Sequence, residues 1–177
     1  MEFRKFTQQE YEATLAKWTK EAEDCDCFPE EVPRKLAFIQ ESLGPTQGSV
    51  FQRLAYGLFA NDEPVATGVC ELVLSNKGLL GGKWIKLMNL VLSPEIDTKM
   101  QDEDMAAMHA AVSAYKAAAL GAFSVRLEHD ADTLKLYARN DQQLRFLMVL
   151  LATIKDDSSS NLRASRQGRW LVLEHDI

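Results

Sequence analysis

Trp84 to Leu92 reads as an extended run with few polar residues on either face, closed by Ser93-Pro94, where the residue before proline leaves helical conformation. A strand of that kind must be covered on both sides, so it belongs at the centre of a sheet. Val50 to Ala60 and Val65 to Leu74 read as two more strands, joined by the turn residues Asn61-Asp62-Glu63-Pro64 into a hairpin. Ser75-Asn76-Lys77-Gly78 and Gly81-Gly82 connect that hairpin to the central strand. Upstream, Phe3 to Phe6 starts a strand. Thr7 and Glu10 stand at capping-box spacing before a helix over Gln8 to Lys20, with Tyr11, Leu15 and Trp18 on one face. After a loop from Cys25 to Pro29, Val32, Leu36, Ile39 and Leu43 share a face of a second helix, Glu30 to Leu43, which Gly44-Pro45 stops.

Past the central strand, Glu95 to Asp104 reads as an acidic connection. Met105 to Leu120 is an Ala-rich helix, apolar all round, which Gly121 ends. Phe123 to Glu128 and Thr133 to Arg139 each look extended, separated by His129-Asp130-Ala131-Asp132. Asn140 and Gln143 form a capping pair for Leu144 to Ile154, where Leu144, Leu147, Met148, Leu151 and Ile154 share a helical face; a strand competes for the same segment. The polar segment Asp156-Asp157-Ser158-Ser159-Ser160 reads as a loop, and Gly168 precedes a last strand, Arg169 to Glu174. The expected fold is α/β, an α+β mixed sheet of about six or seven strands flanked by about four helices. One domain spanning 1–177 is expected, since a chain of 177 residues buries roughly 70% of its unfolded surface around one core.

A net charge of -6 and a pI near 5.1 argue against broad binding to nucleic acid or an anionic membrane, both of which need a surplus of Lys and Arg on one face. The most basic stretch, Arg163, Arg166 and Arg169, is short. Met1 to Phe6 places charges where a signal peptide needs an apolar run, and the longest apolar run, Phe146 to Ala152, is far below the roughly 18 residues of a spanning helix. Three cysteines cannot all pair, and Cys25-Asp26-Cys27 lacks the spacing of a zinc knuckle, so a reducing, cytoplasmic setting is expected. Cys70 reads as core, Cys25 and Cys27 as loop thiols.

The order β, α, α, β, β, β, α, β, α, β resembles the GNAT superfamily of acyl-CoA N-acyltransferases. Three stretches carry the likeness: Tyr56 to Val69 (YGLFANDEPVATGV) is similar to that family's strand-turn-strand entry, Met88 to Pro94 (MNLVLSP) to its cofactor strand, and Leu136 to Leu147 (LYARNDQQLRFL) to the strand and Asn-started helix that follow. The resemblance implies transfer of an acyl group from acetyl-CoA or another acyl-CoA to a small amine. Leu90, Val91 and Leu92 would offer backbone groups to the pantetheine arm, and Asn140 would open the neighbouring helix. The family's frequent tyrosine acid falls at Leu147 here. Its Gly-rich pyrophosphate loop falls on residues 95–104, which hold no glycine and five carboxylates. Carboxylates at a helix N-terminus occupy its positive end and repel a pyrophosphate, so a GNAT-like binding or regulatory protein without acyl-CoA is the alternative.

Within that frame Glu71, on the second hairpin strand, is the candidate base for a substrate amine, Asn89 lies beside it on the central strand, and Tyr137 is the candidate acid. A solvated strand carboxylate, a buried Asn and a packed Tyr are the plainer readings of the three. Leu-Glu-His-Asp occurs at 127–130 and again at 173–176, each read as a strand end, where His129, His175, Asp130 and Asp176 could converge on a metal; coincidence is the simpler reading, and no metal is expected. Asp97, Asp102, Glu103 and Asp104 lack EF-hand spacing and read as a solvated helix start. His109 reads as a packing residue of the Ala-rich helix. Expected partners are a small-molecule amine or a protein, a second copy of the chain included.

Overall fold

In the computed structural model, residues 1–44, 51–60, 63–76, 82–156 and 162–175 are described. The elements run β1 (Glu2–Lys5), α1 (Gln8–Asp24), a 3-10 turn (Pro29–Glu31), α2 (Val32–Leu43), β2 (Phe51–Phe59), β3 (Ala66–Asn76), β4 (Lys83–Leu92), α3 (Pro94–Gln101), α4 (Met105–Glu128), β5 (Thr133–Tyr137), α5 (Asp141–Asp156), β6 (Leu162–Gln167) and β7 (Trp170–His175). The strands form one seven-stranded sheet in the order β1-β2-β3-β4-β5-β7-β6. β4 holds the middle place, as its lack of a polar face requires. Its pairing with β5 is parallel, while the other strand pairs are antiparallel.

Each sheet face has its own core. On one side α1 and α2 bring Trp18, Leu36 and Ile39 against Phe59 and Val69; on the other, α4 and α5 cover Leu72, Ile85, Leu134 and Leu136. Alternation along β3 divides the two: Val69 belongs to the first core, Cys70 and Leu72 to the second. α1 is tied to the start of β3 by two buried hydrogen bonds, Trp18 Nε1 donating to the Ala66 carbonyl at 2.9 Å and the Ala66 amide donating to Thr14 Oγ1 at 3.0 Å. Its capping box forms as the sequence leads one to expect, with Thr7 and Glu10 bonding each other's backbone amides. Glu10 also pairs with Arg4, which joins the helix start to β1.

α4 differs most from its sequence reading. Helix continues through Gly121 and through 123–128, so the extended segment expected there is its last two turns, with Val125 and Arg126 buried. Gly121 marks a close approach rather than a stop. A Cβ at that position would lie 2.2 Å from Cγ of Phe3, whose ring stacks on Tyr56 at 4.7 Å. Ala111, Ala114, Ala118 and Ala122 form the buried stripe, small enough to let the helix lie close on the sheet. His109 is exposed rather than packed.

The acidic connection contains α3, which Ser93 caps by accepting from the Ile96 amide at 3.5 Å, with Pro94 in its first turn. This adds a fifth helix to the four expected. Residues 144–154 are helical within α5: Asn140 Oδ1 accepts the Gln143 amide at 2.8 Å, and Gln143 Oε1 accepts the Arg139 amide at 2.8 Å. β6 is an edge strand absent from the sequence reading, because Leu-Arg-Ala-Ser-Arg-Gln gives no apolar alternation; its exposed Arg163 and Arg166 suit an edge. Gly168, at φ +64°, makes the turn into β7. The first Leu-Glu-His-Asp ends a helix, not a strand, and Asp176 of the second lies outside the described residues, as do the expected turn residues 61–62 and the connecting residues 77–81. Among the described residues no group of three or more His, Cys, Asp and Glu is placed to hold a metal ion, and no helix is long and apolar enough to cross a membrane.

Gly121→Ala is expected to destabilise the fold by about 1 to 2 kcal/mol, since overpacking costs roughly 1–3 kcal/mol and Ala's helix propensity returns at most about 1. Urea denaturation checks this; an unchanged or raised midpoint would show that Phe3 moves aside freely.

Candidate active site

A β-bulge sets the geometry of the site. β3 and β4 pair Glu71 with Asn89 and Leu72 with Leu87, so Met88 is an extra residue on β4. At the same level β5 leaves: the parallel pairing runs from Trp84 with Thr133 to Leu87 with Leu136 and stops there. Beyond that point β4 follows β3 while β5 stays with β7, ending in the pair Tyr137 and Trp170. The sheet splits after Leu87, and Asn89 to Leu92 are left without a β5 neighbour.

A cavity of about 530 Å³ occupies the split. Leu90, Val91 and Leu92 line it, as do Glu71, Asn89 and Asn140, so the structure gathers these six sequence candidates around one space. From the α1/α2 side it is walled by α2 and by Glu71, whose carboxylate is 12% exposed and lies 3.3 Å from Nε of Arg53. Arg53 also meets Glu41 at 3.5 Å, so one guanidinium holds two carboxylates at this end. From the α4/α5 side the walls are Met100 of α3, Tyr115 of α4, and Gln143 and Phe146 of α5. Tyr115 stacks on Phe146 with ring centroids 5.0 Å apart. Burial pushes its phenol up to about 12, against a smaller opposing effect of its hydrogen bond with Gln143. The cavity thus passes through the sheet, with a carboxylate at one face and a neutral phenol at the other.

Tyr137 is placed elsewhere. It lies on β5 with its ring 4.7 Å from Trp170 and is not among the residues lining this cavity. Leu147, where the resembled family carries its tyrosine, is buried in the core. Sequence reasoning passed over Tyr115 and Arg53 and gave Gln143 a capping role alone. The available signal was modest: Tyr115 is the single tyrosine of an Ala-rich helix, a bulky polar-tipped ring among small side chains.

The α4 N-terminus is already occupied. Asp104 Oδ1 accepts the Ala106 amide at 2.7 Å and the Ala107 amide at 3.0 Å, and these bonds hold its carboxyl below the usual range. The residues around the cavity leave the edge of Asn89 to Leu92 without a β5 neighbour. They do not reproduce a pyrophosphate cradle at the start of α4.

The seven-stranded mixed sheet with its flanking helices has an acetyltransferase-like fold. The fold is similar to that of a solved structure described as the "Crystal structure of a probable acetyltransferase", with a TM-score of 0.53 over 85% of this chain and 88% of that one, at 14% identity. No protein-family model matches the chain, and no curated protein matches it.

Burial pushes Tyr56 up to about 12 as well, so of the four tyrosines Tyr56 and Tyr115 should ionise well after an ordinary phenol. A folded-state value above the unfolded one gives stability that is whole below about pH 10 and is lost as pH rises through about 12. Phenolate absorbance followed across that window should show the late ionisation, and Tyr115→Phe should remove part of it. A Tyr115→Phe profile identical to wild type above pH 10 would contradict the burial of this phenol.

Proposed function

We propose that this chain is an acyltransferase that moves an acyl group from an acyl-CoA to a small amine bound in the split between β4 and β5. The observation that carries the reading is the cavity through the sheet, which presents Glu71 from the α2 side and Tyr115 from the α4 side to one space. A bound acyl-CoA supplies an electrophilic thioester carbonyl, and the free backbone of Leu90 to Leu92, with Asn140 beside it, is the surface that would hold its arm. Glu71 receives the proton of the acceptor amine, and Arg53 fixes the orientation of that carboxylate at 3.3 Å. Tyr115, neutral at physiological pH, is the proton donor at the opposite face, a role the sequence reading gave to Tyr137. Phe146 and Met100 restrict water on that side, which strengthens both polar interactions.

One observation favours a second reading, a GNAT-like binding protein that takes no acyl-CoA: Asp104 already satisfies the amides that a pyrophosphate would need. Calorimetric titration with acetyl-CoA and with a longer acyl-CoA separates the two. Micromolar binding and thiol release with a panel of small amines are the outcome expected of an acyltransferase. Glu71→Gln should then lower kcat by roughly 10²- to 10⁴-fold with acyl-CoA affinity unchanged. Absence of heat, together with an unshifted Tm at millimolar ligand, would replace the enzyme reading by the second.

A further inference from the structure

Cys25 and Cys27 lie at the C-terminal end of α1, against Thr98 of α3. The Asp26 amide donates to the Glu23 carbonyl at 3.2 Å and the Cys27 amide to the Ala22 carbonyl at 2.8 Å, the bond pair of a Schellman motif. Asp26 takes the left-handed position at φ +55°, where glycine is usual. A single residue of helical curvature, of either hand, sets the Cα atoms on its two sides roughly 5.4 Å apart, inside the range of about 4.4 to 6.8 Å over which a disulfide closes. The side chains converge as well. Thr98 of α3 donates its hydroxyl to Cys25 Sγ at 3.4 Å, and the same oxygen lies 3.1 Å from Cys27 Sγ. The Cys27 thiol donates to the Cys25 carbonyl at 3.2 Å, and the Cys25 pKa is raised by burial first and by Cys27 second.

Both thiols are half-buried, so a small reagent has access. Cys25 opens on a hollow bordered by Lys17, Lys20 and Lys99 and by Glu21, Asp24 and Glu95. Such mixed charge suits a zwitterionic peptide better than a uniformly charged molecule.

We propose that Cys25 and Cys27 are a dithiol modification site, oxidised to an intraloop disulfide by a small peptide disulfide of the glutathione type. The first cysteine, as its thiolate, attacks one sulfur of the reagent, forming a mixed disulfide and releasing one peptide thiolate. The second cysteine gives up its proton and attacks the protein sulfur of that mixed disulfide, forming the Cys25–Cys27 bond and expelling the second peptide thiolate. The two cysteine protons end on the two released thiols; the protein loses two hydrogens and the reagent is reduced. Because Cys25 is held mostly as thiol at neutral pH, exchange runs through a minor thiolate fraction and quickens with rising pH. Oxidation removes both S–H groups and shifts the two sulfurs that Thr98 contacts, and the neighbouring α3 residues Asp97 and Met100 wall the cavity, so the state of the pair reaches the site through α3. The proposal does not depend on acyl transfer.

The test is incubation of the full chain with oxidised glutathione, alkylation of remaining thiols, and peptide mass spectrometry. The expected product has an internal Cys25–Cys27 link, two hydrogens lighter, retains no glutathione, and leaves Cys70 alkylatable after unfolding. Cys27→Ser should instead accumulate glutathione on Cys25, and Cys25→Ser on Cys27, because the resolving thiol is gone. In the oxidised wild type, amide exchange should speed up in α3 while α4 is unchanged. Stable glutathione adducts on the wild-type pair, or two thiols that stay fully alkylatable, would overturn the proposal. Unchanged α3 exchange in a fully oxidised sample would overturn the link to the cavity.

Discussion

β4 cannot keep both of its neighbours along its whole length, and the rest of the site follows from that. The extra residue Met88 shifts the register against β3, and pairing with β5 ends at Leu87. In an unbroken sheet, backbone hydrogen bonds and interdigitated side chains would fill the space that here stays open. The split gives Leu90 to Leu92 a free edge and lets residues from both layers of helices meet in one cavity. Glu71 and Tyr115 belong to different sides of the sheet, and only a gap in the sheet allows them to face the same space.

The split is tolerable because both halves are held from outside. On the β3 side, Trp18 and Thr14 of α1 fix the beginning of the strand with buried hydrogen bonds. On the β5 side, β7 pairs with the other edge of β5 along its whole length, from Thr133 to Tyr137. α4 crosses β1 to β5, close to the sheet along its alanine stripe and with Phe3 of the edge strand lying against Gly121. A larger residue on that stripe would lift the helix and open the core beneath.

Two charged features near the site are satisfied by the chain's own residues. The α4 N-terminus, a natural anion site, is satisfied by the chain's own Asp104. Arg53, at the α2 end of the cavity, is engaged with two carboxylates.

Local rules in the sequence determined the elements whose signals are local. Thr7 with Glu10 and Asn140 with Gln143 cap helices because their side chains reach amides three or four residues away, and the apolar run of β4 demanded a central place. Glu71, Asn89, Leu90 to Leu92 and Asn140 could be singled out on strand order and resemblance alone. Tertiary structure decided what depends on a distant partner. Gly121 looks like a helix stop until Phe3, far away in sequence, is seen lying over it. Residues 123–128 alternate like a strand, yet continue as helix, with Val125 buried in the core beneath α4 and Arg126 donating to the Ala131 and Asp132 carbonyls. The place of Tyr115 in the cavity depends on where β4 and β5 part, and that is set by pairing between strands some fifty residues apart in sequence, which no local pattern encodes.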